Sequence, residues 1–404
     1  MFTQDHWMLP EGIEEIFPAE AESLDRLGRR LMKAFGTWGY RPVIPPMVDY
    51  LDSLLTGSGH ALDLQTVKFS DPISGRLMGL RADMTPQVAR IDARTARPEV
   101  PARFCYLGAV IHGIVGHLEK NRNPLQIGAE LFGHNGLKAT QEVIRLMLDM
   151  LATADVRGVH LDLGHVGLYR ALAKRAGLSE AEERRLFEVL QRKDTTELVA
   201  LLAQTTMSEA LRQAFSALPE LHGPLDCVAA ARGALTAGGE PVMLALDELS
   251  IVGNALKAGY PDLPLHVDLA ELRGYDYHTG MVFAAFVPGE GREIARGGRY
   301  DDIGGVFGCA RPAVGFSADL RTLARLGAVQ GCAPLTPRIL APAHDDPALA
   351  AKIADLRAEG HVVIQALGGS SETAEALECP LTLVFLGGQW VLNDSNAMTG
   401  TVRE

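Results

Sequence analysis

Apolar residues first fall into register between positions 18 and 38, where Leu24, Leu27, Leu31, Phe35 and Trp38 recur three or four apart and Arg26, Arg29, Arg30 and Lys33 take other faces. That spacing predicts an amphipathic helix. Gly36 and Gly39 close it, and 40–46 follows as an extended segment stiffened by Pro42, Pro45 and Pro46. Prolines cannot donate to a ladder, so this strand is expected at a sheet edge or an interface. Short strand patterns occupy 67–69 and 77–80. A further helix then starts with Thr85 as N-cap and Pro86 in the first turn. Segments 103–111 and 125–132 read as an antiparallel pair joined by a polar loop, followed by a helix over 139–154 and a strand over 159–163.

From about 166 to 258 the pattern is helical, with capping-box spacing at Ser179 and Glu182, and reads as an inserted helical subdomain. Strand character returns at 266–272, 281–287 and 313–317 with glycine-rich turns between, and a helix covers 319–326. Pro334 and Pro337 mark a linker. Beyond it, strand 338–341, helix 347–359, strand 362–365, another helix and strands 381–386 and 389–393 describe a small α/β unit. The expected organisation is α+β: a large domain over 1–330, with the insertion inside it, and a small C-terminal domain over 336–404.

Composition narrows the function classes. With 47% hydrophobic and 22% charged residues the chain reads as an ordinary globular protein. No apolar run approaches the roughly 20 residues needed to span a bilayer. The first ten residues carry Asp5 and no Lys or Arg, unlike a signal peptide, so a cytoplasmic location is expected, without membrane partners. The five cysteines are scattered and form no Cys-x-x-Cys pair, and the histidines lack metal-ligand spacing, so neither a redox dithiol nor a metal site is expected. A net charge of −12 leans against a nucleic-acid ligand, whose phosphates demand Lys and Arg.

Three segments concentrate unusual chemistry. In Arg81-Ala82-Asp83-Met84-Thr85-Pro86-Gln87 an acid and a hydroxyl stand at a helix N-terminus. They fit either a capped helix start or a carboxylate placed for a ligand ammonium. In 125–133, period-two alternation puts Gln126, Gly128 and Glu130 on one face and Ile127 and Leu131 on the other. That face is either ordinary solvent-facing strand or a floor with room for a small polar ligand. In 271–280, Arg273 can clamp a carboxylate, and Tyr277 and His278 can stack on or hydrogen-bond a ring. The segment 296–301 adds two glycines that permit close backbone approach, although a plain hairpin turn also uses glycines. No dinucleotide fingerprint, Walker loop or nucleophile elbow occurs, and no cofactor is expected.

These residues carry a family resemblance. The stretch from Arg273 to Phe283 resembles the histidine-binding signature of histidyl-tRNA synthetases, with His278 in place of the second tyrosine. Gly297-Gly298-Arg299-Tyr300-Asp301 resembles the adjoining loop. Gly39-Tyr40 with Pro46 looks like class II motif 1, 103–133 like the motif 2 hairpin, and Pro312 to Phe316 like the start of motif 3. The matches run in the family's order over about 8–325 and imply a class II aminoacyl-tRNA synthetase-like antiparallel sheet flanked by helices. The positions of the two ATP-clamping arginines hold His112 and Thr322, and Ile114 stands where the motif 2 acid belongs. Losing such donors removes the electrostatic stabilisation that phosphoryl and adenylyl transfer depend on. Together with Arg81-Ala82-Asp83-Met84-Thr85-Pro86-Gln87-Val88-Ala89-Arg90, this resembles the synthetase-derived regulatory subunits of ATP phosphoribosyltransferase.

That resemblance implies a non-catalytic chain without catalytic residues. It would assemble with a short-form catalytic subunit, pair with itself through the motif 1 region and confer feedback inhibition by L-histidine. It further implies a histidine site of Asp83, Thr85, Gln126, Glu130, Arg273, Tyr277 and His278. In that site Glu130 faces the imidazole, Asp83 and Thr85 the amino group and Arg273 the carboxylate. The C-terminal domain looks like a shortened anticodon-binding domain. A free-standing histidine sensor and a working synthetase are the alternatives.

Overall fold

The structure is a computed structural model, which describes residues 8–55, 59–95, 100–114, 121–272, 274, 277–303, 305–308, 310–327, 337–368 and 372–394. Helix α1 (Pro18–Thr37) forms as its periodicity predicts and buries Leu24, Leu27, Leu31 and Phe35, while Gly39 leaves it with a φ of +82°. The proline segment contributes only a two-residue strand, β1 (Arg41–Pro42), parallel to β5. A small three-stranded sheet follows from β2 (Val48–Tyr50), β3 (Lys68–Ser70) and β4 (Leu77–Leu80), with the short helices α2 (Leu51–Leu55) and α3 (Gly59–Gln65) between its strands. Next come α4 (Thr85–Thr95), β5 (Ala102–Ala109), β6 (Leu125–Phe132), α5 (Leu137–Thr153) and β7 (His160–His165).

The helical region comprises α6 (Val166–Ala176), α7 (Glu180–Gln191), α8 (Thr195–Ala203), α9 (Glu209–Ala217), α10 (Cys227–Ala234) and α11 (Glu240–Gly259), interrupted by the short strand β8 (His222–Gly223). Ser179 and Glu182 make the reciprocal capping box that starts α7. The region does not form a core of its own. Tyr169, Leu172, Leu246 and Leu249 join one continuous apolar cluster with Leu161, Leu163, Met281 and Ala285 of the sheet. Strands β9 (Leu265–Asp268), β10 (Met281–Phe286), β11 (Ala295–Arg299) and β12 (Ala313–Asp319) then complete a nine-stranded sheet in the order β1-β5-β6-β12-β11-β10-β7-β9-β8, and α12 (Leu320–Leu326) follows. Its middle is antiparallel, with parallel pairs β1–β5 and β7–β9 toward the two ends. The edge position of β1 follows from its prolines.

The glycines of the segment that forms β11 predict a turn. Its Gly297 and Gly298 depress strand propensity, yet tertiary packing demands them: a Cβ on Gly297 would lie 2.2 Å from the Gly315 carbonyl and one on Gly298 2.7 Å from the His278 ring.

The chain divides into two compact units, 1–330 and 331–404. The second holds β13 (Ile339–Ala341), α13 (Pro347–Ala358), β14 (Val363–Gln365), β15 (Leu381–Leu386) and β16 (Gln389–Asp394) in a four-stranded sheet, order β14-β13-β15-β16. The helix expected between β14 and β15 is absent among the described residues, where 374–378 is a turn. Cys105 and Cys379 are buried free thiols and Cys227 is partly covered; Cys309 and Cys332 lie outside the described residues. No helix of the described residues is long and apolar enough to cross a membrane.

Candidate functional site

The motif 2 strand is not solvent-facing. Ile127, Ala129 and Leu131 enter the main core, and the opposite face carries Glu130, only 1% exposed. Register explains what surrounds that carboxylate. Glu130 pairs with Gly315 on β12, and Gly315 pairs with Gly298 on β11, so two glycines in a row floor a trough beside it. A Cβ on Gly315 would sit 1.4 Å from Glu130 Oε2, so the carboxylate lies where that side chain would have been.

Three hydroxyls converge on Glu130. Thr85 Oγ1 donates to Oε1 at 3.0 Å, Tyr106 donates to the same oxygen at 2.9 Å, and Tyr300 donates to Oε2. Burial disfavours the charge and pushes the Glu130 carboxyl up to about 8, against the pull of the Tyr300 and Tyr106 hydroxyls. The same burial, with the nearby Glu130 charge, holds both phenols well above their usual range. Tyr106 and Tyr300 were not among the expected site residues. The signal for Tyr106 was a large residue on β5 paired with Gly128, where a Cβ would meet the phenol oxygen at 2.5 Å. That pairing exists only once the strands are in register.

Asp83 and Gln126 form the neighbouring polar pair. Gln126 Nε2 donates to Asp83 Oδ1 at 2.8 Å while Gln126 Oε1 accepts from the Met84 N–H at 3.0 Å, so both ends of the amide are used. The helix start differs from the expected one. Asp83 Oδ1 accepts the Thr85 N–H at 3.0 Å and so caps α4, whereas the Thr85 hydroxyl turns to Glu130 and Asp83. Thr85 is thereby released from capping and joins the site.

The segment bearing Asp83 and Thr85 is tied to the proline segment beside it. Three successive carbonyls, of Pro45, Pro46 and Met47, accept from Arg81 Nη1 (2.5 Å), Gln87 Nε2 (3.0 Å) and the Arg81 N–H (3.0 Å). Gln87 Nε2 also reaches Asp49 Oδ2 at 3.1 Å, and Arg90 pairs with the same carboxylate.

On the far side of the trough, His278 is 5% exposed, its Nδ1 lies 3.1 Å from the Arg299 carbonyl, and its ring centroid is 4.1 Å from that of Tyr277. Burial pushes the His278 imidazole down to about 3 and the Tyr277 phenol up to about 12. Arg273 lies outside the described residues.

Asp83, Thr85, Gln126, Glu130, Tyr277 and His278 therefore line one cavity of about 450 Å³. Its remaining lining is acidic: Asp162, Glu271, Glu293 and Asp319 join Asp83 and Glu130, against Arg292 and Arg296. His112 and Thr322 also line it. His112 Nε2 lies 3.2 Å from the Ala82 carbonyl, and Thr322 Oγ1 donates to Asp319 Oδ2 at 3.0 Å. Among the described residues no group of three His, Cys, Asp or Glu is placed to hold a metal ion. The arrangement suits a small, positively charged hydrogen-bond donor better than a polyanion.

A family model described as histidyl-tRNA synthetase matches residues 12–323, and one described as the ATP phosphoribosyltransferase subunit HisZ C-terminal domain matches 336–393. An ATP phosphoribosyltransferase regulatory subunit of Methylococcus capsulatus is 54% identical over 92% of both chains. Its counterpart from Alkalilimnicola ehrlichii is 51% identical over 96% of this chain and 98% of its own. A solved Bacillus halodurans structure, titled ATP phosphoribosyltransferase regulatory subunit/histidyl-tRNA synthetase, superposes with a TM-score of 0.80 at 23% identity, covering 94% of this chain and 97% of that one. The last likeness speaks to the fold alone, and it is the class II synthetase-like one.

Proposed function

The chain belongs to the family of ATP phosphoribosyltransferase regulatory subunits, and from that premise we propose that it is the non-catalytic partner of a short-form catalytic subunit, required for the first step of histidine biosynthesis and for its inhibition by L-histidine. The observation that carries the histidine reading is the buried Glu130 carboxyl. It is held by three hydroxyls in a cavity that also presents the neighbouring Asp83–Gln126 pair. In this reading Glu130 receives a ring N–H, Asp83 and Thr85 receive the ammonium, Tyr277 and His278 flank the ring, and Arg273 holds the carboxylate. An ammonium beside a carboxylate with a fixed acceptor geometry makes a charge-assisted contact.

The same cavity supports the absence of amino-acid activation. At the positions where the resemblance implies phosphate-clamping arginines stand His112 and Thr322, and the Thr322 hydroxyl is engaged with Asp319. A triphosphate there would face carboxylates, and each missing cationic donor is worth about 3 kcal/mol of transition-state stabilisation by the measure of removed oxyanion donors. Self-association through 31–49 belongs to this reading as well, supported by β1 at the sheet edge with Ile44 fully outward (95% exposed).

The decisive experiment mixes the purified chain with a short-form catalytic chain and assays phosphoribosyl transfer against histidine concentration. Activity that depends on this chain and falls with added histidine is expected. A catalytic chain indifferent to its presence would leave a free-standing sensor as the better reading.

A further inference from the structure

One hydroxyl hydrogen stands between two carboxyl groups of the cavity. Thr85 Oγ1 lies 3.0 Å from Glu130 Oε1 and 3.2 Å from Asp83 Oδ1, and a hydroxyl has a single hydrogen to give. Whichever carboxyl receives it, the other meets the bare Thr85 oxygen unless it carries a proton of its own. The two are otherwise supplied differently. Asp83 Oδ1 already accepts the Thr85 N–H at 3.0 Å and Gln126 Nε2 at 2.8 Å, and no described residue donates to Oδ2. Glu130 is 1% exposed and accepts from Tyr106 at Oε1 and from Tyr300 at Oε2. The phenols of Tyr106, Tyr300 and Tyr277, held up by burial, and the His278 imidazole, held down by it, carry no charge at physiological pH. The charges of α4 are committed elsewhere, Arg90 to Asp49 and Asp92 to Arg311. On β11 Arg296 pairs with Glu293, and on β12 Asp319 accepts from Thr322. Asp83 is the neighbouring charge that raises the Glu130 carboxyl.

We propose that Thr85 couples two subsites: its hydroxyl hydrogen goes to Asp83 in the empty cavity and to Glu130 in the filled one, so a ring donor is accepted only from a ligand that also brings an ammonium group. This rests on the reading of the cavity as a histidine site. In the empty cavity two neighbouring carboxylates would repel, and a like charge favours keeping one of them protonated. A proton on Glu130 Oε1 satisfies both contacts, because Glu130 then donates to Thr85 and Thr85 donates to Asp83. An incoming ammonium meets Asp83 at Oδ2 and offsets its charge. The Thr85 contact to Oδ1, the longest of the three that oxygen accepts, is the one released, and the hydroxyl turns to Glu130. The O–H bond of Glu130 breaks and its proton leaves to solvent. Thr85, Tyr106, Tyr300 and the ligand ring N–H then fill the roughly four lone-pair sites of the carboxylate. A ligand without the ammonium leaves Thr85 on Asp83 and the proton on Glu130, and its ring donor finds no carboxylate.

The test is calorimetric titration of the full chain with L-histidine at pH 7 in buffers of different ionisation enthalpy, which counts the protons released on binding. The wild type should release about one proton per histidine bound. Thr85→Ser keeps the hydroxyl and should release as many. Thr85→Val keeps the shape alone; it should release none and bind histidine about tenfold more weakly, the cost of a lost hydrogen bond to a buried group. The deamino analogue, imidazole propionate, should bind the wild type at least about tenfold more weakly than histidine and release no proton. Histidine binding without buffer-dependent heat, or an undiminished proton count with Thr85→Val or with the deamino analogue, would overturn the coupling and leave the histidine site standing. No heat with histidine in any buffer would overturn the histidine site itself. Should Thr85→Val not fold, the deamino analogue on the wild type decides the question.

Discussion

Replacing Glu130 by glutamine keeps the side chain's shape and removes its capacity for charge, which makes it the sharpest probe of the site. Alanine is the blunter choice. It would leave Thr85, Tyr106 and Tyr300 without their shared acceptor, and an orphaned buried hydroxyl costs about 1–3 kcal/mol each. Glutamine still offers an oxygen, so the fold should lose only about 1 kcal/mol, one net hydrogen bond. Above pH 8, where Glu130 carries its charge, a charge-assisted bond to the ligand ring is worth about 1.5–3 kcal/mol, so histidine affinity should fall roughly tenfold or more there. A ligand shifts a conformational equilibrium only through its differential affinity for the two states, so inhibition of the assembled enzyme should weaken in step while assembly and basal turnover persist. The measurement is the histidine concentration that halves activity of the reconstituted complex, with binding followed in parallel by calorimetry. An unchanged midpoint would mean that histidine acts elsewhere, and the argument from the Glu130 cluster would fail.

The pH dependence has a definite sign. Burial raises the Glu130 carboxyl from 4.5 in the unfolded chain to about 8, so between those values the folded chain binds the extra proton and stability falls as pH rises. Wild type should therefore lose stability relative to Glu130→Gln from pH 5 to pH 8 in paired denaturant titrations; parallel curves would refute it. His278 works in the other direction. Its folded value of about 3 lies below the ordinary 6.5 of an imidazole, so its contribution is present above 6.5 and is lost as the pH falls toward 3, and His278→Phe should show less acid destabilisation over that window. The chain should not catalyse histidine-dependent ATP–pyrophosphate exchange, and a rate near that of a synthetase would overturn the reading of His112 and Thr322. Ile44→Asp, placed at the outward edge of the proline segment, should shift the chain toward monomer in light scattering, whereas an unmoved mass would put the self-association surface elsewhere.

Much of the architecture is legible in the sequence, because helix and strand periodicities are local. The face of α1 and the capping box at Ser179 are properties of a few consecutive residues, and the alternation of Gln126, Gly128 and Glu130 placed the right side chains on one face of β6. Ordered motifs carried the family and the class II fold. Three features were decided by tertiary structure. Gly297 and Gly298 read locally as turn and became a central strand, because only glycine lets β11 approach Gly315 and the His278 ring. Thr85 read as a cap, but Asp83 took the Thr85 N–H, and Glu130, 45 residues away, claimed the hydroxyl. Tyr106 and Tyr300 became site residues only when strand register aimed both phenols at one carboxylate. Residue types and their order state what chemistry a chain can perform. Which of those groups share a dry cavity, and hence which protons they hold, depends on register and burial that no local pattern contains.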